Sequence, residues 1–413
     1  MIIKKRWIMK CVQKNFLSKQ IFLYLLSIIL LTCSSQKNEF LLFESPSEAG
    51  SRFPNLISTV EGTLLMSWLS PSENHQSYSL KFSEFDEGNW SKPVTIFSGE
   101  EFFVNWADYP SIFQLNGDTL VIHWLYKNGS GAFQYDVFVS ISMDRGANWS
   151  DPVIPHRDGI STEHGFVSFY HKDGNAGIVW IDGRNLKKSE NDHGLGDMYL
   201  YTTTLKMDMN LGPETILDSR ICECCPTDAA TIGKINLIAY RDRNEDEIRN
   251  IQLIRSNDQG WSEPTIVHDD EWKIPGCPVN GPKLAVNGEK LGIAWYTAPK
   301  GEARVNLAFS YDRGLTFTEP LRVDDGMPLG RVDLEWIDNN RIVVSWIELE
   351  GESAQLKFRQ ILLGGEMRAS QVVKEIDSSR GSGYPQMVKF GKELIFGWTV
   401  PVDSKIEIVK FSI

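Results

Sequence analysis

With 42 Lys and Arg against 54 Asp and Glu, the 413-residue chain carries a net charge of −12. That balance excludes nucleic acid or an anionic membrane surface as the main partner, so any anionic ligand must be met by a local arginine cluster. Thirteen Trp, twelve Tyr and twenty-one Phe suit pleated, half-buried surfaces, 33 Gly punctuate the chain as turn residues do, and long amphipathic helical stretches are absent, which favours one all-β domain.

The first 33 residues hold Lys4, Lys5, Arg6, Lys10, Lys14 and Lys19, then an apolar run from Ile21 to Thr32, then Cys33. A bilayer span needs about 20 apolar residues, so this run has the length of a signal-peptide core and is expected to be removed. Leu30-Leu31-Thr32-Cys33, followed by Ser34, Ser35, Gln36 and Lys37, resembles a bacterial lipobox. The resemblance implies an exported protein, acylated (palmitate) at Cys33 and anchored to the cell envelope; a plain secretory signal is the alternative. Residues 1–33 are thus read as leader and 34–413 as a single domain.

One pattern then recurs seven times: an aromatic or small residue, an apolar strand, a tight turn, and a second apolar strand often ending in Trp. The copies start at Phe53, Tyr109, Phe166, Asp228, Gly281, Arg331 and Tyr384. A third alternating strand and a Pro-marked fourth follow most hairpins, which makes each unit a propeller blade. The last unit lacks a fourth strand, and residues 40–44 (FLLFE) are placed to supply it, pairing both chain ends and leaving no open edge. The count predicts an all-β, seven-bladed β-propeller, with six blades plus a hairpin as the alternative.

Ser142-Met143-Asp144-Arg145-Gly146-Ala147-Asn148-Trp149 and residues 310–317 (SYDRGLTF) resemble the Asp box of the sialidase-like propellers; residues 256–261 (SNDQGW) and 86–90 (DEGNW) are degraded copies. The box is a structural turn and identifies a fold. In that family three arginines clamp the sugar carboxylate, since a planar fork donor gives bidentate bonds. Arg52 in Ser51-Arg52-Phe53-Pro54, Arg241 after Leu237-Ile238-Ala239-Tyr240, and Arg304 before an Asp box fall where the resemblance places them. The family's hydrolytic pair has no match. Residues 76–80 (QSYSL) hold no carboxylate at the acid/base position, and residues 330–333 (GRVD) hold no tyrosine at the nucleophile position.

A carboxylate clamp without the glycosidase pair suits β-elimination on a uronate, where a base removes the proton beside the carboxylate and arginines stabilise the enolate. The architecture is also similar to seven-bladed ulvan lyases. The reading is therefore a lyase or oligosaccharide dehydratase acting on acidic, sulfated algal glycans; a sialidase-like exo-glycosidase and a non-catalytic glycan binder are the alternatives. His164, Asp108 and Tyr240 are the candidate acid and base residues, because unit starts converge on a propeller axis and only His titrates near neutrality unperturbed. Arg331 and Trp106 are added as substrate contacts, although Arg331 and Asp333 also suit mutual pairing. Cys222, Cys224 and Cys225 open the fourth unit and Cys277 the fifth. In an oxidising compartment disulfides are the default, with Cys277 bonded to one of the other three; a thiolate metal site is the sharper alternative. No cofactor is required, no loop demands Ca²⁺, and a structural metal ion stays open.

Overall fold

The computed structural model describes residues 40–186, 196–257 and 259–413; the leader and Cys33 lie outside them. Residues 40–413 form a seven-bladed β-propeller, so the six-bladed alternative is excluded. The innermost strands are Arg52–Ser58, Ser111–Asn116, His164–Lys172, Asp228–Ile232, Lys283–Asn287, Pro328–Trp336 and Gln386–Phe390. Each pairs antiparallel with the next strand outward, as the alternating runs and two-residue Gly turns dictate. Fourth strands are uneven. Thr215–Ile221 is long, Leu321–Arg322 is short, and in the second blade a single bridge, Val139 to Val153, stands in for one. Leu41–Phe43 closes the seventh blade with Leu41 opposite Lys410 and Phe43 opposite Ile408, as the unpaired last unit predicts.

Packing between blades follows from the repeat. Six blades bury a tryptophan in the second strand: Trp68, Trp124, Trp180, Trp295, Trp346 and Trp398. Tyr240 takes that place in the fourth. A buried indole N–H calls for an acceptor, and acids supply it at three of these positions: Trp180 donates to Asp182 at 2.7 Å, Trp295 to Asp270 at 2.7 Å and Trp346 to Glu348 at 2.5 Å. Tyr240 behaves alike, its hydroxyl meeting Asp218 at 2.5 Å.

Near the axis, side chains at blade starts stitch each innermost strand to the next. Asn55 Oδ1 accepts the Ile112 N–H, Asp108 Oδ1 that of Phe166, Asp228 Oδ2 that of Leu284, Asn280 Oδ1 that of Arg331, and Asp333 Oδ2 that of Met387, all at 2.7–2.9 Å. Innermost strands of different blades cannot share a ladder, so short side-chain acceptors satisfy their free amides. The first, third and sixth blades open with a bulge that holds Phe53, Phe166 and Arg331 at φ of 53–55°.

The Asp boxes are turns, as their motif predicts. Asp144 Oδ1 accepts the Asn148 amide at 2.8 Å, Ser142 Oγ accepts that of Gly146 at 2.7 Å, and Trp149 donates to Gly146 O at 3.1 Å. Gly146 sits at φ 85°, and a Cβ there would fall 2.0 Å from the Phe82 ring, so glycine is required twice over.

Candidate functional site

All seven innermost strands line an axial cavity of about 390 Å³, within the range of small-ligand sites. Its polar lining includes Asp108, Asp228, Lys283 and Asp333. The three carboxylates are the stitching acceptors described above. Burial pushes each of them up from the usual carboxylate range, and the Lys283 charge offsets this for Asp228 and Asp333. Asp108 is therefore held in place by strand geometry: its Oδ1 takes the Phe166 amide, while Oδ2 is buried without a partner.

His164 is fully buried. Its Nδ1 faces Tyr135 O at 3.2 Å and its Nε2 faces Asp158 at 3.1 Å, so the ring donates at both ends. It stacks on His156 with centroids 3.6 Å apart and planes 1° from parallel. Burial alone would lower the His164 pKa, but the Asp158 hydrogen bond and the Asp182 and Asp158 charges raise it. His156 is pushed down to about 3 by burial and by the His164 charge, and accepts the Val137 amide. Arg184 completes the knot, bonding Asp182 and Glu214 at 2.7 Å each. A histidine locked this way is no free base. Tyr240 is not one either, since burial and Asp218 push its phenol well up rather than down. The Tyr296 phenol, beside Arg241, is likewise raised by burial.

The three arginines of the expected clamp are engaged differently. The Arg241 guanidinium is buried and donates to three main-chain carbonyls, Asn280 at 2.9 Å, Arg249 at 2.7 Å and Tyr296 at 2.6 Å, which ties the fourth blade to the fifth. Arg304 pairs with Glu302 at 2.5 Å, its side chain 38% exposed. Arg52 is half-buried at the start of the first innermost strand. Arg331 does not pair with Asp333; it donates to Ser379 O, Ser382 Oγ and Gly383 O and lies over the Trp106 ring at 4.6 Å. Trp106 also stacks on Tyr384 at 5.8 Å, so its ring is already engaged.

The structure supplies two carboxyl groups that sequence reading did not single out. Glu163 immediately precedes His164, is half-buried, and accepts the Tyr135 hydroxyl at 2.9 Å. Burial, aided by the Glu223 charge and opposed by Tyr135 and His164, pushes it up to about 7. Glu223, 31% exposed, accepts Arg249 at 2.9 Å and faces Arg243 at 3.8 Å. Glu163 is thus raised toward neutrality, while Glu223 is held between two arginines.

No family model and no curated protein matches the chain. Among solved structures it is similar to the Hadza microbial sialidase Hz136, at 13% identity and a TM-score of 0.48, over 89% of this chain and 66% of that one. It is also similar to the intramolecular trans-sialidase from Ruminococcus gnavus, at 10% identity and TM-score 0.45, over 91% and 97% of the two chains. A third is the GH93 α-L-arabinofuranosidase of Fusarium graminearum, at 14% identity and TM-score 0.47, over 90% and 96%. These structures are similar to the chain in fold. The lyase or dehydratase expectation is corrected at this point. The histidine and tyrosine assigned to proton abstraction are buried in structural contacts.

Proposed function

We propose that the chain is a carbohydrate-active propeller that hydrolyses a glycosidic bond where its innermost strands begin. The observation that carries this reading is the Glu163 carboxyl on the Tyr135 hydroxyl, with Glu223 on Arg249 as the second carboxyl. Glycoside hydrolysis takes one carboxyl kept protonated to donate to the leaving oxygen and one carboxylate to attack the sugar or activate water. Glu163, lifted to about 7 by burial and the Glu223 charge, fills the first role. Glu223, between Arg249 and Arg243, fills the second. Acidic sugars fall within the same proposal, met by Arg52 and Arg304, which keep solvent exposure. So do export and acylation at Cys33, which palmitate labelling of the wild type and its loss in Cys33→Ala would support.

The test is incubation of the detergent-solubilised full chain with aryl glycosides, sialosides, arabinofuranosides and uronate oligosaccharides. Release of free sugar by the wild type, and loss of at least a hundredfold in kcat for Glu163→Gln and Glu223→Gln, are the expected results. Undiminished turnover in either variant would overturn the assignment.

A further inference from the structure

We propose that Cys222, Cys224 and Cys225, whose sulfurs lie within 4.8 Å of one another, hold one thiophilic d¹⁰ cation, Zn²⁺ or Cu⁺, beside Pro226 and Gly281 of the cavity lining, with Cys277 of the fifth blade closing on it as the fourth ligand. This rests on the sulfur geometry and is independent of the glycosidase reading.

Two chain segments bring the sulfurs together. Residues 222–225 follow the strand Thr215–Ile221, and the Cys222 amide is tied to Arg241 O at 3.0 Å. Residues 277–281 open the fifth blade. The segments touch so closely that a Cβ on Gly281 would stand 1.9 Å from Pro226 O, so only glycine permits the approach. Cys222 Sγ lies 3.9 Å from Cys224 Sγ and 3.0 Å from Cys225 Sγ, and the three sulfurs lie within 4.8 Å of one another. Tetrahedral sulfurs about 2.3 Å from zinc stand roughly 3.8 Å apart. All four thiols are unbridged.

Two features favour an ion over the disulfides expected from the compartment. Cys222 contacts two other sulfurs, whereas a disulfide satisfies each sulfur with one partner. The surroundings also aim donors at sulfur: Arg249 N–H at Cys222, 3.1 Å, and the Asn280 amide at Cys225, 3.4 Å. Such donors match thiolate anions and orient metal ligands, and sulfur is otherwise a weak acceptor. Arg249 is buried to 2% exposure and offsets part of the negative charge that four thiolates leave on a bound cation. Each ligand loses its thiol proton to solvent on binding, with no change of oxidation state, and thiolate softness selects the cation. Bound there, the ion links the fourth blade to the fifth.

The experiment purifies the full-length chain in detergent under anaerobic reductant, measures Zn and Cu per chain, and then titrates the metal-stripped protein with Zn²⁺, Cu⁺ and Co²⁺. The proposal predicts one equivalent bound, an intense thiolate-to-Co²⁺ charge-transfer band, four cysteines protected from alkylation, and a Tm that rises with metal. Cys277→Ser, at an exposed position, is expected to weaken binding at least tenfold without unfolding the chain; Cys224→Ser serves as the second variant. Four freely alkylated thiols with no metal taken up, disulfides persisting after mild reduction, or unchanged affinity in Cys277→Ser would each overturn it.

Discussion

Replacing Glu163 by Gln separates the two things that this carboxyl does. In the folded chain its pKa is about 7 against an ordinary 4.5, because burial and the Glu223 charge disfavour the ionised form. A raised acid binds more protons folded than unfolded, so its stability contribution is complete below about pH 4.5 and is lost as pH rises through about 7. At roughly 1.4 kcal/mol per pH unit, the 2.5-unit gap amounts to about 3 kcal/mol, less to the extent that solvent reaches the carboxyl. Urea unfolding of wild type and Glu163→Gln between pH 4.5 and 8.5 reads the difference. The wild type should lose stability relative to the variant across that interval, by up to about 3 kcal/mol, with equal m-values. In the same preparations kcat should collapse in the variant, and the alkaline limb of the wild-type rate profile should fall near pH 7. Parallel stability curves, or a rate profile indifferent to pH between 5 and 9, would refute the protonated-acid reasoning.

Other positions make independent predictions. Asp108→Ala orphans the buried Phe166 amide and should cost about 1–3 kcal/mol by chemical denaturation, whereas Asp108→Asn keeps that acceptor and should be neutral or stabilising at pH 7, with turnover retained in both folded variants. His123, held at about 3 by burial despite its hydrogen bond to Ser111, binds protons in the unfolded chain at a higher pH than in the folded one. Stability should therefore fall below pH 6.5, by about 2 kcal/mol at pH 5, and His123→Gln should remove that slope in a pH series of melts. Gly281→Ala drives a methyl into Pro226 O; a loss of about 1–3 kcal/mol is expected, together with faster alkylation of Cys225.

The blades were legible because their information is local. Alternating apolar residues, Gly turns and two Asp boxes each fix a hairpin within about twenty residues, and the unpaired seventh unit pointed to closure by the segment containing Leu41–Phe43. The site was not local in this sense. Arg241 stands where a clamp arginine is expected, but the carbonyls that engage it belong to Arg249, Asn280 and Tyr296, on other strands and another blade. Asp108 and Asp333 look like chemistry in a list of acids and are strand acceptors in three dimensions. His164 was correctly placed at a unit start, yet its partners Asp158 and His156 come from a loop with no motif. Glu163 was adjacent to it in plain view; only burial beside Tyr135 and Glu223 marks it as unusual. Tyr240 occupies a tryptophan position of the repeat, a signal that aligning the second strands alone would have exposed.

The most direct test of the account is product analysis by mass spectrometry in H₂¹⁸O, using the full chain and the glycan panel above. Hydrolysis predicts fragments that together gain one water per bond broken, with ¹⁸O at the new anomeric hydroxyl and no unsaturation, in wild type but not in Glu163→Gln. An unsaturated product, or glycans returned intact by a chain that binds them, would contradict it.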